Sequence, residues 1–175
     1  MAGPPAATFS VRLLADHDEL VPAVGALRWQ EWGRAPEPED PAWWEATTRQ
    51  EAGRDRLPVS WVALDGAAGG ADRVVGAVGL GECDLVERQD VTPWVMGTIV
   101  RPDRRGTGVG RALMARLEEW AVVHGFDQVW VATGQAEEFY RRCNWRPVET
   151  MRLRTGEPMV VLTKQVPDLG CAMRA

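Results

Sequence analysis

Residues 99–114 read IVRPDRRGTGVGRALM, with glycines at 106, 108 and 110 among Arg104, Arg105 and Arg111. A β-type run ends just before this stretch and a helix-type run begins just after it. Glycine has no side chain to keep backbone N–H groups from a ligand. A helix start adds N–H groups without intrahelical partners and a partial positive charge. Together they suit a phosphate or pyrophosphate, and arginine can hold phosphate oxygens two at a time. Three motifs compete. The NTPase loop needs Gly-Lys-Ser/Thr at its end, which is absent. The dinucleotide fingerprint, started at Gly106, puts Arg111 where its third glycine belongs, and the turn lies in the second half of the chain, not in a first βα unit. Arg-x-x-Gly-x-Gly fits Arg105, Gly108 and Gly110. A turn that binds nothing is the competing reading, because turns use glycine freely.

Other side chains able to do chemistry are few. Tyr140 is the only tyrosine; its phenol is protonated at neutral pH and can donate, although residue type alone favours a core aromatic. Glu82 and Asp84, in GLGECDL, could take a proton directly or through water, or be solvated loop acids. Cys143 would suit an acyl-cysteine intermediate, but neither His17 nor His124 stands near it in sequence. The three cysteines form no CxxC and the two histidines are far apart, so no metal site is expected. An odd, scattered set of cysteines fits a reducing cytoplasm.

These residues need a scaffold, and 175 residues with 45% hydrophobic and 26% charged content suffice for one domain with a core. The reading is a single domain over 1–175 with its core at about 8–166. No run is long and apolar enough to cross a membrane, and the N-terminus lacks the pattern of a signal peptide. The formal charge is −5 with no basic face, which argues against nucleic acid as a partner. Alternation predicts a first strand at 8–14, and further strands are read at 59–64, 74–80, 94–100, 128–133, 146–153 and 159–166. Helices are predicted from a cap at Asp16 to Trp32, from a cap at Asp40 with Pro41 to Glu51, over 111–124 and over 135–143. Leu113, Leu117, Trp120, Ala121 and His124 form an apolar stripe on the third helix. The order βααβββαβαββ predicts an α/β fold of α+β type with a mixed, mostly antiparallel sheet. Strands 94–100 and 128–133 form its central right-handed βαβ crossover.

PWVMGTIVRPDRRGTGVGRALM, VWVAT and EEFYRRCNWRPVE, within residues 93–150, resemble the GNAT superfamily of acyl-CoA-dependent N-acyltransferases. That family shows a strand ending in V-x-P, then R-G-x-G-x-G, a helix, a strand, and a short helix ending in F/L-Y-x-x-x-G-F/W. The resemblance implies acetyl-CoA as cosubstrate and a primary amine, free or on a peptide, as acceptor. The backbone of Ile99 and Val100 would pair with the pantetheine arm. The amides of Gly106, Thr107, Gly108, Val109 and Gly110 would hold the pyrophosphate, with Arg105 or Arg111 offsetting its charge. Tyr140 falls where the family's acid sits and would protonate the leaving thiolate. Asn144 departs from the family's glycine, a mild change because Asn tolerates the left-handed conformation.

Acyl transfer to an alkyl amine of pKa about 10.4 starts from on the order of one neutral molecule in a thousand at pH 7, so a base is useful. Some members of the family carry a Glu on the strand before the turn. WVMGTIV has none, which leaves Glu82 as candidate, with Asp84 beside it. In the family the first two helices and their link shape the acceptor site. Here they hold Trp29, Trp32, Trp43 and Trp44, with two of the four expected in the core; aromatic faces attract cations. Trp32, Trp44, Asp84 and Trp94 are the candidate acceptor contacts. Dimers are common in the family, which leaves a homodimer open. A non-catalytic acyl-CoA sensor or scaffold is the rival reading, and Tyr140 distinguishes it, since a pure binder has no use for the acid. A nucleotide-dependent oxidoreductase is disfavoured by the motif mismatch.

Overall fold

The computed structural model describes residues 9–34, 38–66 and 68–166. The expected order of elements is found: β1 (Phe9–Leu13), α1 (Val21–Trp32), α2 (Pro41–Gln50), β2 (Val59–Asp65), β3 (Val74–Gly81), β4 (Trp94–Val100), α3 (Val109–Val123), β5 (Gln128–Thr133), α4 (Glu137–Arg142), β6 (Arg146–Arg152) and β7 (Pro158–Gln165). The strands form one mixed sheet in the order β1-β2-β3-β4-β5-β7-β6. β1 and β2, β5 and β7, and β6 and β7 run antiparallel. β4 and β5 run parallel, with Trp94 opposite Trp130, as a crossover through α3 requires. The loose ends read at 1–7 and 167–175 lie outside the described residues.

Two compact units share the chain: residues 1–79 with 97–113, and residues 80–96 with 114–175. In the first, β2 and β3 are near-continuous apolar runs and every residue of both strands is buried, the pattern of strands covered on both faces. Leu14, Leu20, Val21, Val24 and Leu27 pack with Val62, Leu64, Val74, Ala77 and Ile99 there. In the second, Leu85, Trp94 and Val161 form a core flanked by Val91, Trp130, Ala132, Met151 and Leu153.

Local signals explain most boundaries. Asp40 accepts from the amide of Ala42 at 2.9 Å and Pro41 opens α2, as read from the sequence. Asp16 does not cap α1. Two short 3-10 turns, Leu14–Asp16 and Asp18–Leu20, come first; Pro22 opens the helix and no side chain caps it. The Asp16 carboxylate instead bonds Arg54 at 2.5 Å. The stripe on α3 holds for Leu113, Leu117 and Ala121, which are buried. His124 is exposed and stacks on half-buried Trp120, ring centroids 3.7 Å apart.

Candidate active site

The first unit carries the glycine turn. After β4, Arg101 to Arg104 make a 3-10 turn, the Arg104 amide donating to the Arg101 carbonyl at 2.8 Å. Gly106 and Gly108 then adopt φ of 77° and 92°, values that L side chains rarely hold. A Cβ built at either would meet no atom within 4 Å. The space beside the turn is therefore open, and it is the backbone that needs glycine. Ala112 is the amide that bonds back to Gly108, at 3.0 Å, so helix geometry leaves the amides from Gly108 to Arg111 without intrahelical acceptors. The Thr107 hydroxyl donates to the Arg104 carbonyl at 2.6 Å, which holds the turn closed. A cradle of main-chain donors with open space before it fits a pyrophosphate.

The arginines around the turn are not equivalent. Arg104 pairs with buried Asp65, so its charge is already answered. Arg101 pairs with Asp103 at 2.6 Å, and that guanidinium, through its hydrogen bond, holds the Asp103 carboxyl below its ordinary value. Arg105 donates to the Val100 carbonyl at 3.1 Å and meets Glu31 at 3.1 Å. Arg111 is exposed and has no ion pair among the described residues. Ile99 turns its side chain into the core and Val100 is half-buried.

The second unit holds Tyr140 on the last turn of α4, with 3% of its surface exposed. The helix ends in a Schellman closure. The Trp145 amide donates to the Tyr140 carbonyl at 3.0 Å and the Asn144 amide to that of Arg141 at 3.0 Å. Asn144 has φ of 65°. The apolar contact that accompanies this motif is made by the Tyr140 and Trp145 rings, edge to face at 5.6 Å. The Asn in place of glycine therefore does glycine's conformational work, and the closure fixes the backbone from which Tyr140 projects. Glu82 and Asp84 are exposed in the segment between β3 and β4. The thiol of Cys83, between them, donates to the Leu85 carbonyl at 3.2 Å.

The family model described as Acetyltransferase (GNAT) family matches residues 22–145. The chain belongs to the GNAT acetyltransferase family. Three solved structures share its fold. An aminoglycoside 6'-N-acetyltransferase complexed with coenzyme A has TM-score 0.69 at 14% identity, covering 91% of this chain and 97% of its own. An N-acetyltransferase from Staphylococcus aureus Mu50 has 0.65 at 14%, covering 91% and 99%. The ribosomal-protein-S18-alanine N-acetyltransferase from Escherichia coli has 0.61 at 14%, covering 91% and 94%. At these identities the likeness establishes the GNAT fold. No curated protein matches the chain by sequence.

Two aromatic expectations for this GNAT chain need correction. Trp94 is wholly buried, donates its indole N–H to the Val91 carbonyl at 2.8 Å and packs against Trp130. It is core and cannot contact an acceptor. Among Trp29, Trp32, Trp43 and Trp44 none is buried: Trp32 and Trp43 are exposed and the others half-buried. Trp32 and Trp44 stack at 6.1 Å, and Glu39 holds this hairpin by accepting from Trp44 Nε1 on its carboxylate and from Trp29 Nε1 on its carbonyl. Glu37 of the link lies outside the described residues.

Sequence reasoning also passed over Arg28. It shares the apolar stripe of α1 with Val21 and Val24, at i, i+3 and i+7, and is 2% exposed. An arginine within such a stripe is the signal that could have found it. Among the described residues no helix is long and apolar enough to cross a membrane, and no group of three or more His, Cys, Asp or Glu could hold a metal ion.

Proposed function

We propose that this chain is an acetyl-CoA-dependent N-acetyltransferase that acts on a primary amine by direct transfer within a ternary complex. The observation that carries the reading is the turn from Gly106 to Arg111, where left-handed glycines and a helix start present main-chain donors to open space. The amides of Gly106, Thr107, Gly108, Val109 and Gly110 would hold the pyrophosphate. Arg111 is the readiest countercharge, and Arg105 can join once Glu31 releases it. The backbones of Ile99 and Val100 would flank the pantetheine arm. Acetyl-CoA supplies an acyl thioester whose C–S bond breaks as the amine nitrogen bonds to the acyl carbon.

Two protons must move. Glu82 takes one from the attacking amine, directly or through water. Tyr140 Oη gives one to the departing sulfur, a step typically worth 10² to 10⁴ in rate. The stacked Trp32 and Trp44, with Asp84, are the proposed acceptor contacts, suited to a cation by ring faces and carboxylate. The aminoglycoside and S18-alanine enzymes that share the fold are both named for amine acceptors, in line with this reaction class.

The test pairs calorimetric titration of CoA with a thiol-release assay using acetyl-CoA across a panel of amines. Saturable CoA binding and amine-dependent thiol release are expected. Failure to bind CoA overturns the assignment; binding without turnover on any amine favours the sensor reading.

A further inference from the structure

The guanidinium of Arg28 is buried with only one side satisfied. Nη1 donates to Thr48 Oγ1 at 3.2 Å and to Glu51 Oε2 at 2.6 Å. Nε and Nη2 are buried and have no hydrogen-bond partner among the described residues. Buried donors are rarely left unpaired, and those of a cation least of all. Gly97 of β4, whose φ is 53°, packs over the flat face of this guanidinium. A Cβ there would stand 2.9 Å from Cζ, Nε and Nη2 alike. The equal distances set this glycine, in a conformation other residues resist, over the guanidinium face on the Nε–Nη2 side, where the missing side chain keeps the strand from crowding two donors that have no partner among the described residues.

We propose that the Nε–Nη2 edge of Arg28 binds a carboxylate carried by the acceptor, so that the substrates are amino-acid-like amines. These two N–H groups point the same way and form the planar fork that matches two carboxylate oxygens. A single hydroxyl or carbonyl oxygen matches it less well, and an ammonium is repelled. Glu51 answers the opposite side and keeps 20% of its side chain in solvent, so water screens part of its charge. Gly97 precedes Ile99 by two residues, about 7 Å along a strand. Naming the acceptor as the molecule held rests on the acyl-transfer reading, which sets the acyl group beside β4. A carboxylate two or three bonds from the reacting nitrogen can then reach Arg28, as in an α-amino acid.

Matched pairs differing only in the carboxylate test this: phenylalanine against phenethylamine, and arginine against agmatine, titrated calorimetrically into the full chain saturated with CoA. The carboxylated member is expected to bind at least tenfold tighter. In Arg28→Lys, which keeps the charge but loses the fork, that preference falls below threefold while CoA affinity stays within twofold of the parent. Equal binding within each pair, or an undiminished preference in Arg28→Lys, overturns the proposal. If Arg28→Lys does not fold, crystals soaked with phenylalanine decide: the carboxylate on Nε and Nη2 supports the site, and a carboxylate elsewhere refutes it. The same titrations run without CoA separate the two readings. A carboxylate preference in a protein that does not bind CoA keeps this site and discards the acyl-transfer reading.

Discussion

Lys164 carries its ammonium to the carbonyl of Cys143, 2.9 Å away, just past the end of α4. The chain's only lysine also reaches both oxygens of Glu118, at 2.8 and 2.7 Å, with each side chain about four-fifths shielded. One residue thus ties β7 and α3 to the helix end that presents Tyr140. Lys164→Met is expected to cost about 2 kcal/mol in urea unfolding, because it leaves Glu118 shielded and uncompensated. Adding Glu118→Leu should recover more than half of that loss, measured as a double-mutant cycle.

Tyr140→Phe preserves the edge-to-face contact with Trp145 and removes the hydroxyl alone. Turnover is expected to fall at least tenfold, about 1.4 kcal/mol of activation free energy, with CoA affinity unchanged. Steady-state rates with a reactive amine decide it; unchanged turnover removes Tyr140 from the chemistry.

Asn144 should behave as a conformational residue. Asn144→Gly is expected to leave stability equal or raise it by a few tenths of a kcal/mol, whereas Asn144→Val should cost about 1–2 kcal/mol, because a β-branched side chain resists the left-handed backbone. Thermal melting of the two variants in parallel provides the comparison.

At the glycine turn, Gly108→Val is expected to abolish CoA binding, at least a hundredfold by calorimetry. The added side chain strains a backbone at φ of 92° and projects into the space proposed for the pyrophosphate. Retention of parental affinity would show that the main-chain cradle is not the binding site.

Arg111 and Arg105 should differ. Arg111→Ala removes an exposed charge with no ion pair among the described residues and is expected to weaken CoA binding about fivefold or more, less so at high salt. Arg105→Ala should change affinity less than threefold, since its guanidinium already serves Glu31 and Val100. Titrations at two ionic strengths read both effects.

The order of elements was legible because it is written in local signals: Pro41 after Asp40, glycines between strands, and near-continuous apolar runs in β2 and β3. Asp16 misled because it has the chemistry of a helix cap, while Pro22, six residues on, sets where the helix can begin. Trp94 misled for another reason. Its place at the start of the cofactor strand suggested a rim, but Trp130 covers it from a strand distant in sequence, and no local pattern reports such a partner. Arg28 could be noticed as a misfit in an apolar stripe, yet its meaning depends on Thr48, Glu51 and Gly97, which only the fold assembles. The glycine turn could be read directly because its geometry depends on consecutive residues.

The hold of Arg105 on the Val100 carbonyl bears on how coenzyme A would arrive. That oxygen belongs to the strand segment proposed to flank the pantetheine arm, and it is not idle in the free protein. On the proposed reading, loading would be a swap: the arginine would let go of strand and glutamate and swing toward phosphate, and the vacated oxygen would turn to the incoming amide. Association of this kind trades like for like, so its heat should be small beside its affinity, and its rate should follow how readily one side chain changes allegiance.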